Sequence, residues 1–150
     1  MGLNSGIDAR IENSYATGDV AGGLNTGGLA GYNWSSTVTN CYSIGTVSGD
    51  ESTGGLVGLN KGWKDPGTGM IHYASVTDCY YLETASAQAI GTQEYYSSIS
   101  DEALIKQSSA NLKKQSTFRN WDFATVWSIH KTKSYPYLLD NEQAPYPGTD

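Results

Sequence analysis

Gly27-Gly28-Leu29-Ala30-Gly31-Tyr32-Asn33 and Gly54-Gly55-Leu56-Val57-Gly58-Leu59-Asn60 align without a gap at a spacing of 27 residues. A fixed spacing of this size marks stacked supersecondary units. Working outward, the same offset of 27 relates Ile11 to Val38, Asn13 to Asn40, Tyr15 to Tyr42, Gly18 to Gly45, Val20 to Val47 and Gly22 to Gly49. Gly2-Leu3-Asn4 reads as the truncated start of a first copy. A third copy returns as Val76-Thr77-Asp78-Cys79-Tyr80 after an insertion of 11 residues.

A unit of this length cannot bury a core alone, so each copy must cover its apolar side with the next one. The expected fold is mainly β: a right-handed, parallel β-helix-like solenoid of about three such repeats. Its expected span is residues 2–92, with copies at about 2–26, 27–53 and 54–92 and an insertion at 61–71. Within each unit short strands alternate with Gly, which marks turns and close backbone approaches, as at Gly28 and Gly55. Leu29 with Leu56, Ile11 with Val38 and Val76, and Val20 with Val47 form the expected inward ladders. Asn13, Asn40 and Asp78 form a polar ladder at a bend, because Asn and Asp bond to nearby backbone and tolerate left-handed conformations. Tyr15, Tyr42 and Tyr80 stack as an aromatic ladder. Whether Tyr or Cys faces inward stays open, since a bend of this kind resets the alternation.

Cys41 and Cys79 are the only two cysteines and occupy one repeat position, where the first copy has Ser14. A small buried side chain is the expected role. A disulfide is the alternative: neighbouring rungs lie about 4.8 Å apart, although parallel side-chain vectors make the bridge awkward.

The run Gly-Gly-Leu-Val-Gly-x-Asn, followed by Asn-Cys-Tyr-x-x-Gly-x-Val-x-Gly, resembles the GLUG motif, and the likeness extends over roughly the first 90 of 150 residues. The resemblance implies bacterial cell-surface or secreted proteins, among them adhesin-like polypeptides and non-catalytic parts of IgA-specific metallopeptidases. It therefore implies an extracellular location.

The insertion Lys61-Gly62-Trp63-Lys64-Asp65-Pro66-Gly67-Thr68-Gly69-Met70 is expected to be an exposed loop rather than an added strand. Loops on a rigid scaffold carry binding residues, which makes Trp63 a candidate ligand contact unless it folds back onto the last rung. Past Gly91 the composition changes, and residues 93–150 are expected to form a cap that closes the open end of the solenoid. Ser100-Asp101-Glu102-Ala103-Leu104-Ile105-Lys106-Gln107 has the N-cap, acidic start and basic end of a short helix. Ser109 to Gln115 suggests another helical turn, with Leu112 directed at Phe118. Two aromatic strands follow around Trp121 to Ile129 and Tyr135 to Leu139. Trp121, Trp127 and Tyr137 are buried in such a cap, or alternatively serve as a sugar-stacking platform.

A net charge of −6 and nine dispersed bases argue against nucleic acid. No apolar run reaches the roughly 20 residues of a membrane span. No motif with a catalytic or zinc-binding mechanism occurs, and His72 and His130 have no ligand-spaced neighbours. The expectation is a non-catalytic structural and adhesive module without metal or cofactor. Its partners would be flanking domains of the same polypeptide and a host or environmental glycan or protein. A carbohydrate-binding module of a larger secreted enzyme is the alternative.

Overall fold

The structure is a computed structural model that describes residues 2–141. Three parallel four-stranded faces wind around one axis. Face A stacks Leu3–Ser5, Ala30–Trp34, Val57–Lys61 and Ile90–Gln93. Face B stacks Arg10–Glu12, Thr37–Thr39, Ala74–Thr77 and Ser97–Ile99. Face C stacks Tyr15–Ala16, Tyr42–Ser43, Tyr80–Leu82 and Lys106–Gln107. Each face takes one strand from each turn, so the molecule is a parallel β-solenoid of four turns.

The register follows the sequence period. Asn33 pairs with Asn60, Ile11 with Val38, Tyr15 with Tyr42, and Val20 with Val47. Beyond the insertion Val76 pairs with Val38 and Tyr80 with Tyr42, which returns the third turn to register. The bend from face B to face C is made by Asn13, Asn40 and Asp78, whose φ values of 47°, 51° and 49° are left-handed. That region suits Asn and Asp better than other non-Gly residues.

The bend settles which side chains point inward. Ile11, Val38 and Val76 enter the core from face B, and directly after the bend Cys41 and Cys79 enter it too, beside Leu29, Leu56, Val57 and Tyr81. Both cysteines are free thiols, so the alternative of a disulfide is corrected in favour of small buried side chains. Each sulfur points at strand carbonyls, Cys41 at Thr39 O and Cys79 at Thr77 O. Gly28 and Gly55 sit where a Cβ would lie 2.1 Å from Ser43 Oγ and 2.4 Å from the Tyr81 ring, so the tight packing excludes any side chain. At the end of face A a second polar ladder is buried. Asn4 Nδ2 donates to Asn33 Oδ1 and Asn33 Nδ2 to Asn60 Oδ1, both at 2.8 Å.

Three expectations are corrected. The solenoid has a fourth turn: Ile90, Thr92 and Gln93 pair with Val57, Leu59 and Asn60, Ile99 pairs with Val76, and Lys106 pairs with Tyr81. The helical cap is absent, since residues 100–107 form one helical turn, Glu102–Ile105, that runs directly into a strand, and Gln115–Thr117 is a short 3-10 turn. The helix signal in that segment yields to pairing with the rung below, a tertiary override of local propensity. The insertion is a β-hairpin, Trp63–Lys64 against Ile71–His72, where a loop was expected.

The C-terminal segment covers the flank of the solenoid, whereas the sequence suggested its open end. Tyr42 and Tyr80, turned outward by the bend, pack in a second core with Leu112, Phe118, Trp121, Trp127 and Tyr135, against which Tyr15 also packs. Tyr15 and Tyr42 stack at 5.3 Å with 6° between their planes. Hydrogen bonds fix the seat. Tyr42 Oη donates to Pro136 O at 2.7 Å, Trp121 Nε1 donates to Asp78 O at 2.8 Å, and Tyr80 Oη accepts from Arg119 N at 2.8 Å. An aromatic ladder left on an outer face would be a large exposed apolar patch, and the tail removes it from water.

Candidate binding surface at the aromatic corner

The corner between faces A and B gathers the exposed rings. Trp34 ends its face A strand, and Ser35 turns the chain with a left-handed φ of 51°. In the third turn the hairpin leaves from the same place. Gly62 makes this departure because a Cβ there would lie 2.2 Å from Tyr96 O and 2.7 Å from His72 O. The hairpin tip is held by Asp65, whose Oδ1 accepts from Gly67 N at 2.7 Å and Thr68 N at 3.1 Å. Those two amides hold its carboxyl below the usual range.

Trp63 and His72 are a cross-strand pair whose rings stack at 5.5 Å and 12°. Trp34 stacks on Tyr32 at 6.2 Å and 17°. Both indoles are 40% exposed, and both line a cleft of about 140 Å³ with Ser5, Gly6, Ile7, Ser35 and His72. Ser35 is buried and its Oγ makes no hydrogen bond. Beside the cleft Tyr73, Tyr95 and Tyr96 are also exposed, and Tyr73 meets Tyr96 edge to face at 6.4 Å. Lys61 and Glu94 pair at 2.5 Å, and this hydrogen bond raises the lysine pKa.

Face B presents a hydroxyl surface next to this corner. Thr37 and Thr39 lie beside Ser75 and Thr77 on the neighbouring strand, with hydroxyl contacts of 3.4 Å and 3.3 Å. Towards the first turn a polar depression of about 300 Å³ is lined by Ile7, Asp8, Arg10, Glu12, Thr37 and Thr39. Arg10 and Glu12 pair there at 3.5 Å and remain largely exposed.

The residues singled out in the sequence are distributed as follows. Trp63 is at the cleft. Trp121 and Trp127 are 7% and 0% exposed in the flank core, which corrects their reading as platform residues. Tyr137 is half-buried, stacked on His130 at 5.5 Å with its hydroxyl 3.1 Å from Nε2. Asn13, Asn40 and Asp78 make the bends; Tyr15, Tyr42 and Tyr80 lie under the tail. Sequence reasoning missed Trp34, Tyr73, Tyr95 and Tyr96. A signal was present at Trp34, which shares a register column with Ser5 and Lys61, outward positions where a large apolar ring has no core to enter.

Among the described residues no group of three His, Cys, Asp or Glu is placed to hold a metal ion, and no helix is long and apolar enough to cross a membrane. Residues 22–48 match the family model described as the GLUG motif. No curated protein and no solved structure matches the chain. The matched segment runs from the end of the first turn through the second, and the turns on either side stack on it in the same register. The chain carries a GLUG motif at residues 22–48 and folds as a parallel β-solenoid.

Proposed function

We propose that this module is a non-catalytic structural and adhesive element of a bacterial cell-surface or secreted protein, and that the aromatic corner is its contact surface. The observation that carries the proposal is a cluster of exposed rings, Trp34, Trp63, Tyr73, Tyr95 and Tyr96, held on a rigid stack rather than folded into a core. Exposed apolar patches of this sort are interaction sites more often than accidents. The hairpin carries Trp63 to the corner beside Trp34, and insertions on a solenoid are where such proteins carry recognition residues. The remaining surface, regular and polar on face B, suits a spacer.

The test has two arms. Antibody labelling of intact and lysed producing cells locates the parent polypeptide, and beads coated with the domain are counted on host matrix and on bacterial envelopes. Surface labelling together with adherence that drops in a folded Trp63→Ser/Tyr95→Ser/Tyr96→Ser variant supports the proposal. A cytosolic polypeptide, or beads that adhere no better than albumin-coated ones, would contradict it. The second reading, a carbohydrate-binding module of a larger secreted enzyme, rests on Trp63 and its stacking partner, since Trp121 and Trp127 are enclosed.

A further inference from the structure

Two depressions meet at Ile7. On one side lies the aromatic cleft with Trp34, Trp63 and His72; on the other lies the polar depression with Asp8, Arg10, Glu12, Thr37 and Thr39. Ile7 lines both, and across it the surface changes from apolar to hydrogen-bonding. We propose that the two depressions together make a groove that binds a neutral oligosaccharide of at least two sugar units, one ring stacked at Trp34 and Trp63 and the next one hydrogen-bonded on face B. This rests on the adhesive reading above and names its ligand.

The chemistry of the groove selects that ligand class. A pyranose has an apolar face of C–H groups and a rim of hydroxyls, so it needs a flat ring on one side and donors and acceptors at its edge. Each indole already has one stacking partner, Tyr32 or His72, which fixes its orientation before a ligand arrives. Preformed surfaces of this kind lose little side-chain entropy on binding. The cleft volume of about 140 Å³ is the scale of one ring and too small for a folded peptide segment.

Charge argues for a neutral sugar. In the polar depression Arg10 is offset by Glu12 and joined by Asp8, and the whole chain carries −6. An anionic chain would be repelled, while exposed carboxylate and guanidinium groups are strong partners for hydroxyls. The hydroxyl rows of Thr37 with Ser75 and Thr39 with Thr77 extend this polar surface across the next turn.

The experiment is a printed array of neutral gluco-, galacto-, manno- and N-acetylglucosamine oligosaccharides, followed by calorimetric titration of each retained glycan into the full chain. Trp34→Ala and Trp63→Ala, shown by circular dichroism to be folded, are each expected to weaken binding by about 10-fold or more, the scale of a lost central contact. Glu12→Gln weakens it less, and Leu104→Ala, exposed elsewhere, leaves it unchanged. The glycan should also shield Trp34 and Trp63 from acrylamide quenching. An array that retains nothing, or a retained glycan bound with unchanged affinity by the Trp34→Ala/Trp63→Ala double variant, overturns the proposal. Adherence of coated beads in the face of an empty array would sink the glycan assignment alone, leaving the adhesive reading with a protein ligand.

Discussion

Replacing Asn33 by Ala should cost this fold far more than its single polar side chain suggests. Asn33 is fully buried, and its amide makes four contacts of 3.0 Å or less: Oδ1 accepts from Asn4 Nδ2 and Ser36 Oγ, and Nδ2 donates to Asn60 Oδ1 and Ser36 O. Not every partner is stranded by the substitution. Ser36 O still accepts from Ser75 N, Ser36 Oγ can donate to Asn4 O, and Asn4 Nδ2 keeps Thr37 O. Asn60 Oδ1 loses the donor it has in the ladder. An orphaned buried acceptor costs about 1–3 kcal/mol, and the loss of the other three bonds at roughly 1 kcal/mol each brings the total to about 4–6 kcal/mol. That is a large share of a typical domain stability of about 5–15 kcal/mol.

The assay is urea unfolding followed by circular dichroism. With m near 2 kcal/mol/M, the midpoint should fall by about 2–3 M. Asn60→Ala in the Asn33→Ala background should cost at least about 1 kcal/mol less than in the native chain, because the shared bond is already gone. A single-variant cost below about 1 kcal/mol, or strict additivity of the pair, would refute the reasoning that the ladder ties the turns together.

Four further outcomes follow from the packing. Trp127→Ala should destabilise by about 3–5 kcal/mol in the same unfolding assay, while Trp63→Ala stays within about 1 kcal/mol, since only the first ring is enclosed. Gly55→Ala should cost about 1–3 kcal/mol or more, as its methyl would meet the Tyr81 ring. Burial and the nearby Glu102 carboxylate push the Tyr81 hydroxyl up to about 12. The folded state thus holds that proton longer than the unfolded chain, whose tyrosines titrate near 10, and stability falls as pH rises from about 10 through 12. Burial raises Tyr42 and Tyr80 as well, so Tyr81→Phe should make the alkaline limb shallower without abolishing it, at no cost near pH 7 because the buried hydroxyl has no partner; an unchanged limb in pH-dependent unfolding would remove Tyr81 from the explanation. Native protein should show almost no thiol reactive to Ellman's reagent, and two after denaturation; none in either state would mean a bridge.

The period of the first three turns was legible because they repeat matching side chains at an offset of 27, which the 11-residue insertion lengthens once, within the third. Asn13, Asn40 and Asp78 could be assigned to bends because left-handed backbone has few tenants. The fourth turn was illegible for a physical reason. An end rung has a neighbour on one side only and can drop the Gly-Gly pair and the Asn-Cys-Tyr bend, so the fourth turn keeps only Gly91 of the close-approach glycines and carries Ile90-Gly91-Thr92-Gln93 and Ser97-Ser98-Ile99. Their helix-like stretch from Ser100 then had no visible competitor. The place of the tail was hidden because it depends on which way Tyr42 points, and that is decided by backbone at Asn40 rather than by alternation. Trp63 was found as a loop aromatic, whereas its cleft needs Trp34 from the previous turn and Ile7 from the first, residues brought together only by the stacking. The buried role of Asn4, Asn33 and Asn60 was likewise present in the motif without being distinguishable from a surface turn.

A parallel stack of four turns with the aromatic tail seated on its flank leaves a distinct set of nuclear Overhauser contacts in the labelled full chain. Contacts are expected between Val76 and Ile99, between Leu82 and Gln107, and from the Tyr42 ring to Trp127 and Pro136. A continuous helical pattern of sequential amide contacts over residues 100–107, with none to the third turn and none between Tyr42 and Trp127, would contradict it.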